Sequence, residues 1–118
     1  MGANVLHSLD HVRQGLGRLT LEVIAGGSLL TLVGVLALAL ALRADRRAVA
    51  VCLAVGASGA RGVSAPHLAP HPSALSDPYA DRSLDVLSWA VMLAELAAAA
   101  LLAAAGARML PGRRDRTA

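Results

Sequence analysis

Residues 84–107 read LDVLSWAVMLAELAAAALLAAAGA. From 86 to 107 the sole ionisable side chain is Glu95. At about 1.5 Å per residue these twenty-two residues make roughly 33 Å of helix, enough to cross a hydrocarbon core of roughly 30 Å. The stretch therefore reads as a membrane span. An ionisable group at that depth costs on the order of 2.5–3.5 kcal/mol even on lenient insertion scales, so Glu95 is expected to face a protein partner, a cavity or a proton path.

The rest of the 118-residue chain repeats this block pattern. It is 56% hydrophobic, but the apolar residues do not recur at the 3.6 period of an amphipathic soluble helix. Residues 23–42 are twenty consecutive residues without a charge, giving a first span over about 19–42. Glu22 stands at its outset, where a carboxylate suits a helix N-terminus, and Gly26, Gly27 and Gly34 are expected to admit close helix approach. Ala39-Leu40-Ala41 has the small-x-small pattern of a signal cleavage site, but the apolar region is too long and starts too late for a signal, so the segment is read as retained. Residues 48–60 are uncharged but short; with Arg61 snorkelling to the interface they extend to a second span over about 46–65. On that helix Ala50, Ala54, Ser58 and Gly62 form a ridge of small side chains suited to helix packing in lipid. The third span covers about 84–107.

Outside the spans, Val5, Leu9, Val12 and Leu16 recur at helical spacing within residues 1–18, which reads as a short interfacial helix weakened by Gly15 and Gly17 at about 1 kcal/mol each. Residues 63–83 read as an external loop, because Pro66, Pro70, Pro72 and Pro78 oppose helix. Asp81 or Ser83 is expected to cap the third span, with Tyr79 and Trp89 as interfacial anchors near its outer end. Arg108 and then Pro111-Gly112 end it.

The net charge of +3 rests on eleven arginines with no lysine, a usage that fits GC-rich coding and a bacterial plasma (inner) membrane. With three spans, Arg43, Arg46, Arg47, Arg108, Arg113, Arg114 and Arg116 fall on one side against Arg13, Arg18, Arg61 and Arg82 on the other, whereas two spans give no asymmetry. The positive-inside rule then favours an all-α, three-span, multi-pass protein with its N-terminus outside and its C-terminus in the cytoplasm, a single membrane domain over 1–118. The arginines mark helix ends and stacking aromatics are nearly absent, which excludes nucleic acid as a partner; the partners expected are the lipid bilayer and other membrane subunits. One cysteine, Cys52, permits no internal disulfide.

Glu95 is the sharpest functional candidate. A carboxylate in low dielectric serves as a protonatable relay, and the plainer alternative is a hydrogen-bonded carboxyl that fastens this helix to a neighbour. The histidines form two pairs at one spacing, His7-xxx-His11 and His67-xxx-His71, which are candidate ligands for an external metal, although solvated loop residues are the plainer reading and no cofactor is expected. Pro70 and Pro72 oppose the helix that would place His67 and His71 on one face. No catalytic triad, phosphate-binding glycine loop or redox motif stands in the chain, so it reads as no enzyme by itself.

Arg46-Arg47 before the second span, and Ala94-Glu95-Leu96 thirteen residues before Arg108, give a layout that resembles the small K-type subunit of proton-pumping NADH–quinone oxidoreductase. It is similar as well to the C subunit of multisubunit cation/proton antiporters. The resemblance runs over about residues 19–110 and implies a small subunit of a larger proton- or cation-translocating assembly, with Glu95 as a relay. It departs where the K subunit carries a second carboxylate in its middle span: residues 55–59 read VGASG here. Two other readings stay open, a stand-alone membrane protein of structural or regulatory type and an external metal-binding membrane protein.

Overall fold

The computed structural model describes residues 1–15, 17, 19–68 and 84–110. They form four helices, α1 (Gly2–Gln14), α2 (Leu21–Leu42), α3 (Ala48–Leu68) and α4 (Val86–Met109). The last three, with 22, 21 and 24 residues, are each long and apolar enough to cross a membrane. The all-helical architecture with three helices of spanning length is thus the one the apolar blocks dictate. Among the described residues the only buried hydrophobic side chains are Ala37, Val63 and Met92, while Leu21, Leu32, Leu42 and Leu101 lie exposed. A surface this apolar suits lipid and not water.

Local chemistry sets the helix ends. Thr20 caps α2 by accepting the Val23 N–H (3.3 Å), and Asp85 caps α4 by accepting the Ser88 N–H (3.0 Å). Asp85 thus takes the role expected of Asp81 or Ser83, which lie outside the described residues. Between α2 and α3 the chain reverses within five residues. The Asp45 N–H reaches Leu40 O and the Ala44 N–H reaches Ala41 O, both at 3.0 Å, with Ala44 left-handed at φ 51°. This is the double bond of a Schellman motif, held here by alanine where glycine would avoid a strain of about 1–2 kcal/mol. Asp45 then accepts the Arg47 N–H (2.8 Å) and starts α3.

α3 and α4 are the most closely packed pair, α2 lies on α3, and α1 lies on α4. The α3–α4 seam runs antiparallel and is made of backbone. A Cβ on Gly56 would stand 2.7 Å from Ala99 O and 2.8 Å from Ala103 Cα, and one on Gly106 would stand 2.8 Å from Leu53 N. The ridge expected from Ala50, Ala54, Ser58 and Gly62 is not the packing face: all four are exposed, and nothing approaches Gly62. The buried stripe is instead Gly56, Gly59, Val63 and His67, because the larger Val63 must meet Met92 and that fixes the rotation of α3. Gly26 and Gly27 likewise face open space, whereas Gly34 does admit a close neighbour, the Met1 sulfur at 3.0 Å from a Cβ position.

One further expectation is corrected. Residues 63–68 are not loop, since α3 continues through Pro66 to Leu68. One proline forfeits one backbone bond, which a membrane helix with packed neighbours tolerates. That extra turn carries His67 onto the buried face. α1, read as an interfacial helix, packs lengthwise along the first half of α4: Arg13 and Gln14 meet Asp85 and Ser88, while Asn4 and His7 meet Glu95.

The seam predicts a contrast between two glycines of one helix. Gly56→Ala should lower stability by about 1–3 kcal/mol, because its methyl group overlaps the α4 backbone. Gly62→Ala should be neutral or gain up to about 1 kcal/mol from helix propensity. Unfolding in mixed micelles measures both, and equal stabilities would refute the seam.

Candidate functional site

α1 is amphipathic in the sense opposite to a soluble helix. Val5, Leu9 and Val12 are 46%, 58% and 56% exposed, while His7 and Asp10 are 5% exposed. Asn4, His7, His11 and Gln14, spaced three, four and three apart, line its protein-facing side together with Asp10. Polar groups in an apolar medium turn toward one another, so the stripe that faces inward is the polar one.

Glu95 receives that stripe. It lies about 14 Å along α4 from Val86 at the ordinary helical rise and is buried. Asn4 Nδ2 donates to its Oε1 (2.8 Å), and His7 Nδ1 pairs with its Oε2. Thr31 on α2 donates to Asn4 Oδ1 (2.9 Å), so one chain of hydrogen bonds joins α4, α1 and α2. The carboxylate also lies beside the first turns of α1, where the helix dipole favours negative charge.

Three imidazoles stand together at this point. His7 and His11 come from one face of α1, and His67 from the last turn of α3. Their ring centroids are 4.6 Å (His7–His11), 5.0 Å (His7–His67) and 5.3 Å (His11–His67) apart. One nitrogen from each lies within 4.8 Å of the other two. His7 and His11 thus share one face of α1, as their spacing implies, and His67 joins them from α3; His71 lies outside the described residues. A cleft of about 810 Å³ between α2 and the α1–α3 face is lined by Ile24, Leu30, Val33 and Val55 and has the three histidines and Glu95 in its wall. A smaller cavity of about 240 Å³, bordered by Gly34, Ala37, Gly56 and Ala99, also contains Glu95 in its wall. Glu95 thus borders both spaces.

A second polar cluster holds the other end of α1. Arg13 Nη1 and Nη2 grip the two oxygens of Asp85 (2.8 and 3.0 Å), Nη2 reaches Ser88 Oγ (2.8 Å), and Nε reaches Asp10 Oδ1 (2.8 Å). Gln14 donates to Asp10 Oδ2 (2.6 Å). The Arg13 hydrogen bonds hold the Asp85 carboxyl down at about 2, and Asp85 in turn raises the Arg13 guanidinium above its ordinary value. Burial pushes Asp10 up, but hydrogen bonds from Arg13, Ser88 and Gln14 together outweigh it and leave its carboxyl below the usual range. Sequence reading passed over Asn4, Asp10, Arg13 and Gln14 as constituents of a site. Their signal was the polar stripe itself, opposite Val5, Leu9 and Val12.

Of the remaining residues singled out in the sequence, Arg43, Arg46 and Arg47 occupy the α2–α3 turn, and Arg108 the last turn of α4 at the same end of the antiparallel bundle. Arg113 and Arg114 lie outside the described residues.

The Arg13 cluster carries a pH dependence of definite sign. A carboxylate whose pKa falls from 3.8 undocked to about 2 docked stabilises the docked state above pH 3.8 and loses that contribution as pH falls through about 2. Hydrogen exchange of the α1 amides, corrected for intrinsic rates, should therefore rise as pH drops from about 4 to about 2, and Arg13→Gln should show loosened α1 at neutral pH with this dependence removed. Unchanged protection in both would refute the latch. No protein-family model, no curated protein and no solved structure matches this chain.

Proposed function

We propose that this protein is a small multi-pass membrane component that takes up a proton or cation at the Glu95 cluster and passes it through the bundle, within a larger inner-membrane assembly. The supporting observation is a membrane carboxylate joined to His7, with two more imidazoles beside it, bordering two adjoining cavities. A purely structural carboxyl needs only hydrogen-bond donors, whereas one that takes up and releases a proton or cation also needs open space beside it, which the two adjoining cavities supply. Glu95 finds its hydrogen bonds within its own chain, so it is not the contact that demands a partner subunit.

In the proposed orientation the Arg43–Arg47 turn and the Arg108 end of α4 face the cytoplasm, following the positive-inside rule. The Glu95 cluster then opens toward the outer half of the membrane. A reporter fused after Ala118 should be active in the cytoplasm and one inserted near Ser73 should be active outside; both on one side would rule the orientation out.

The transport reading is tested at Glu95. In vesicles holding the full chain with a pH-sensitive dye and a dye sensitive to divalent metal, an imposed potential should drive proton or cation entry, and Glu95→Gln should slow it at least tenfold while α1 stays docked. Glu95→Ala should also release α1, because Asn4 and His7 lose their acceptor at a cost of about 1–3 kcal/mol. Equal flux through the wild type and Glu95→Gln would overturn the proposal.

A further inference from the structure

We infer that His7, His11 and His67 form a binding site for one divalent transition-metal ion of the zinc class, with Glu95 as the outer carboxylate that orients His7. The inference deepens the reading above by naming the cation that the cluster takes, and rests on it only for the site's place in transport.

Four observations carry the assignment. His7 and His11 are four residues apart on α1, so both imidazoles project from one helix face, the spacing by which helical histidine pairs chelate a metal. α3 supplies the third imidazole from a separate element, because the helix runs on past Pro66. The three donor nitrogens already lie within 4.8 Å of one another, against about 3.3 Å for nitrogens at 2.0–2.1 Å from a tetrahedral centre, so modest side-chain rotation closes the set. Finally, Glu95 Oε2 engages His7 Nδ1. A metal held by the other ring nitrogen of His7 would complete the carboxylate–histidine–metal arrangement typical of zinc sites.

The donor set selects the ion class. Three neutral imidazoles favour zinc, cobalt, nickel or copper, while calcium and magnesium require oxygen donors. Glu95 balances part of the charge of a dication in a low-dielectric setting, where an uncompensated ion would be expelled. Three protein ligands leave a fourth position toward the cleft, open to water or to an exchanging ligand. That openness suits an ion that is loaded and released.

The full chain, purified in detergent without a polyhistidine tag and stripped with a chelator that is then removed, is titrated with Co²⁺. Visible absorption follows the coordination geometry, and elemental analysis counts the metal. The wild type should bind one Co²⁺ per chain with the intense visible bands of a four-coordinate site, and Zn²⁺ should displace it. His11→Ala and His67→Ala should each weaken binding at least a hundredfold, and Glu95→Gln ten- to a hundredfold. His67→Cys should retain a bound metal with a shifted spectrum, which separates a lost ligand from a lost fold. Absence of stoichiometric Co²⁺ in the wild type, or affinity indifferent to His11→Ala and His67→Ala, overturns the inference. Repeating the vesicle flux in the presence of chelator separates the two readings. Flux that still depends on Glu95 when no metal binds the wild type leaves the proton reading standing and removes the metal site. Stoichiometric metal with flux indifferent to Glu95→Gln keeps the site and removes the transport reading.

Discussion

The hydrogen bonds that α1 makes to Glu95 decide the rest of this structure. A carboxylate some ten residues into an apolar helix must find donors or leave the membrane, and the donors come from Asn4 and His7 of the same chain. Meeting that demand turns the polar stripe of α1 inward and its apolar stripe outward. Asn4 then reaches Thr31 on α2, and His7 brings His11 to the end of α3 where His67 stands. The same residue that is hardest to place in lipid thus dictates how α1 meets α4 and α2.

Two kinds of packing divide the work. The α3–α4 seam is glycine against backbone, Gly56 on Ala99 and Ala103, and Gly106 on Leu53. Contact this close rests on dispersion between backbones and tolerates no added methyl group, so these two helices form a fixed frame. α1 is joined to that frame by discrete polar bonds at its two ends, Asn4 and His7 at Glu95, and Arg13 at Asp85, Ser88 and Asp10. Van der Waals seams define position, and polar bonds can be exchanged for water or for an ion.

The spans were legible in the sequence because length and absence of charge are one-dimensional properties. Their N-terminal ends each moved by two residues, and for α2 and α4 the caps at Thr20 and Asp85 depend on which oxygen meets which N–H, which composition does not contain. Glu95 was legible for the same reason that it is costly. Its partners were not, because Val5, Leu9 and Val12 mark an apolar stripe that draws the eye to the face that is in fact exposed. The stripe of Asn4, His7, His11 and Gln14 has equal periodicity, and only the medium decides which face turns inward. The choice between the Gly62 ridge and the Gly56 stripe was equally hidden. Both satisfy small-residue spacing, and the position of Val63 against Met92 breaks the tie in three dimensions.

Docking of α1 and occupation of the histidine cluster are one equilibrium. Two of the three imidazoles ride on α1 and the third is fixed on α3, so an ion bonded to all three adds a tether between the movable helix and the frame. Linkage makes the converse true to the same degree: whatever favours docked α1 raises affinity for the ion, and whatever loosens it lowers that affinity. Arg13 is not one of the three imidazole ligands, yet it holds the C-terminal turn of α1, and Asp85 and Asp10 are its anchors. The latch therefore acts on the affinity of a site whose α1 ligands stand two and six residues back, about 3 and 9 Å at the helical rise, without being one of those ligands itself.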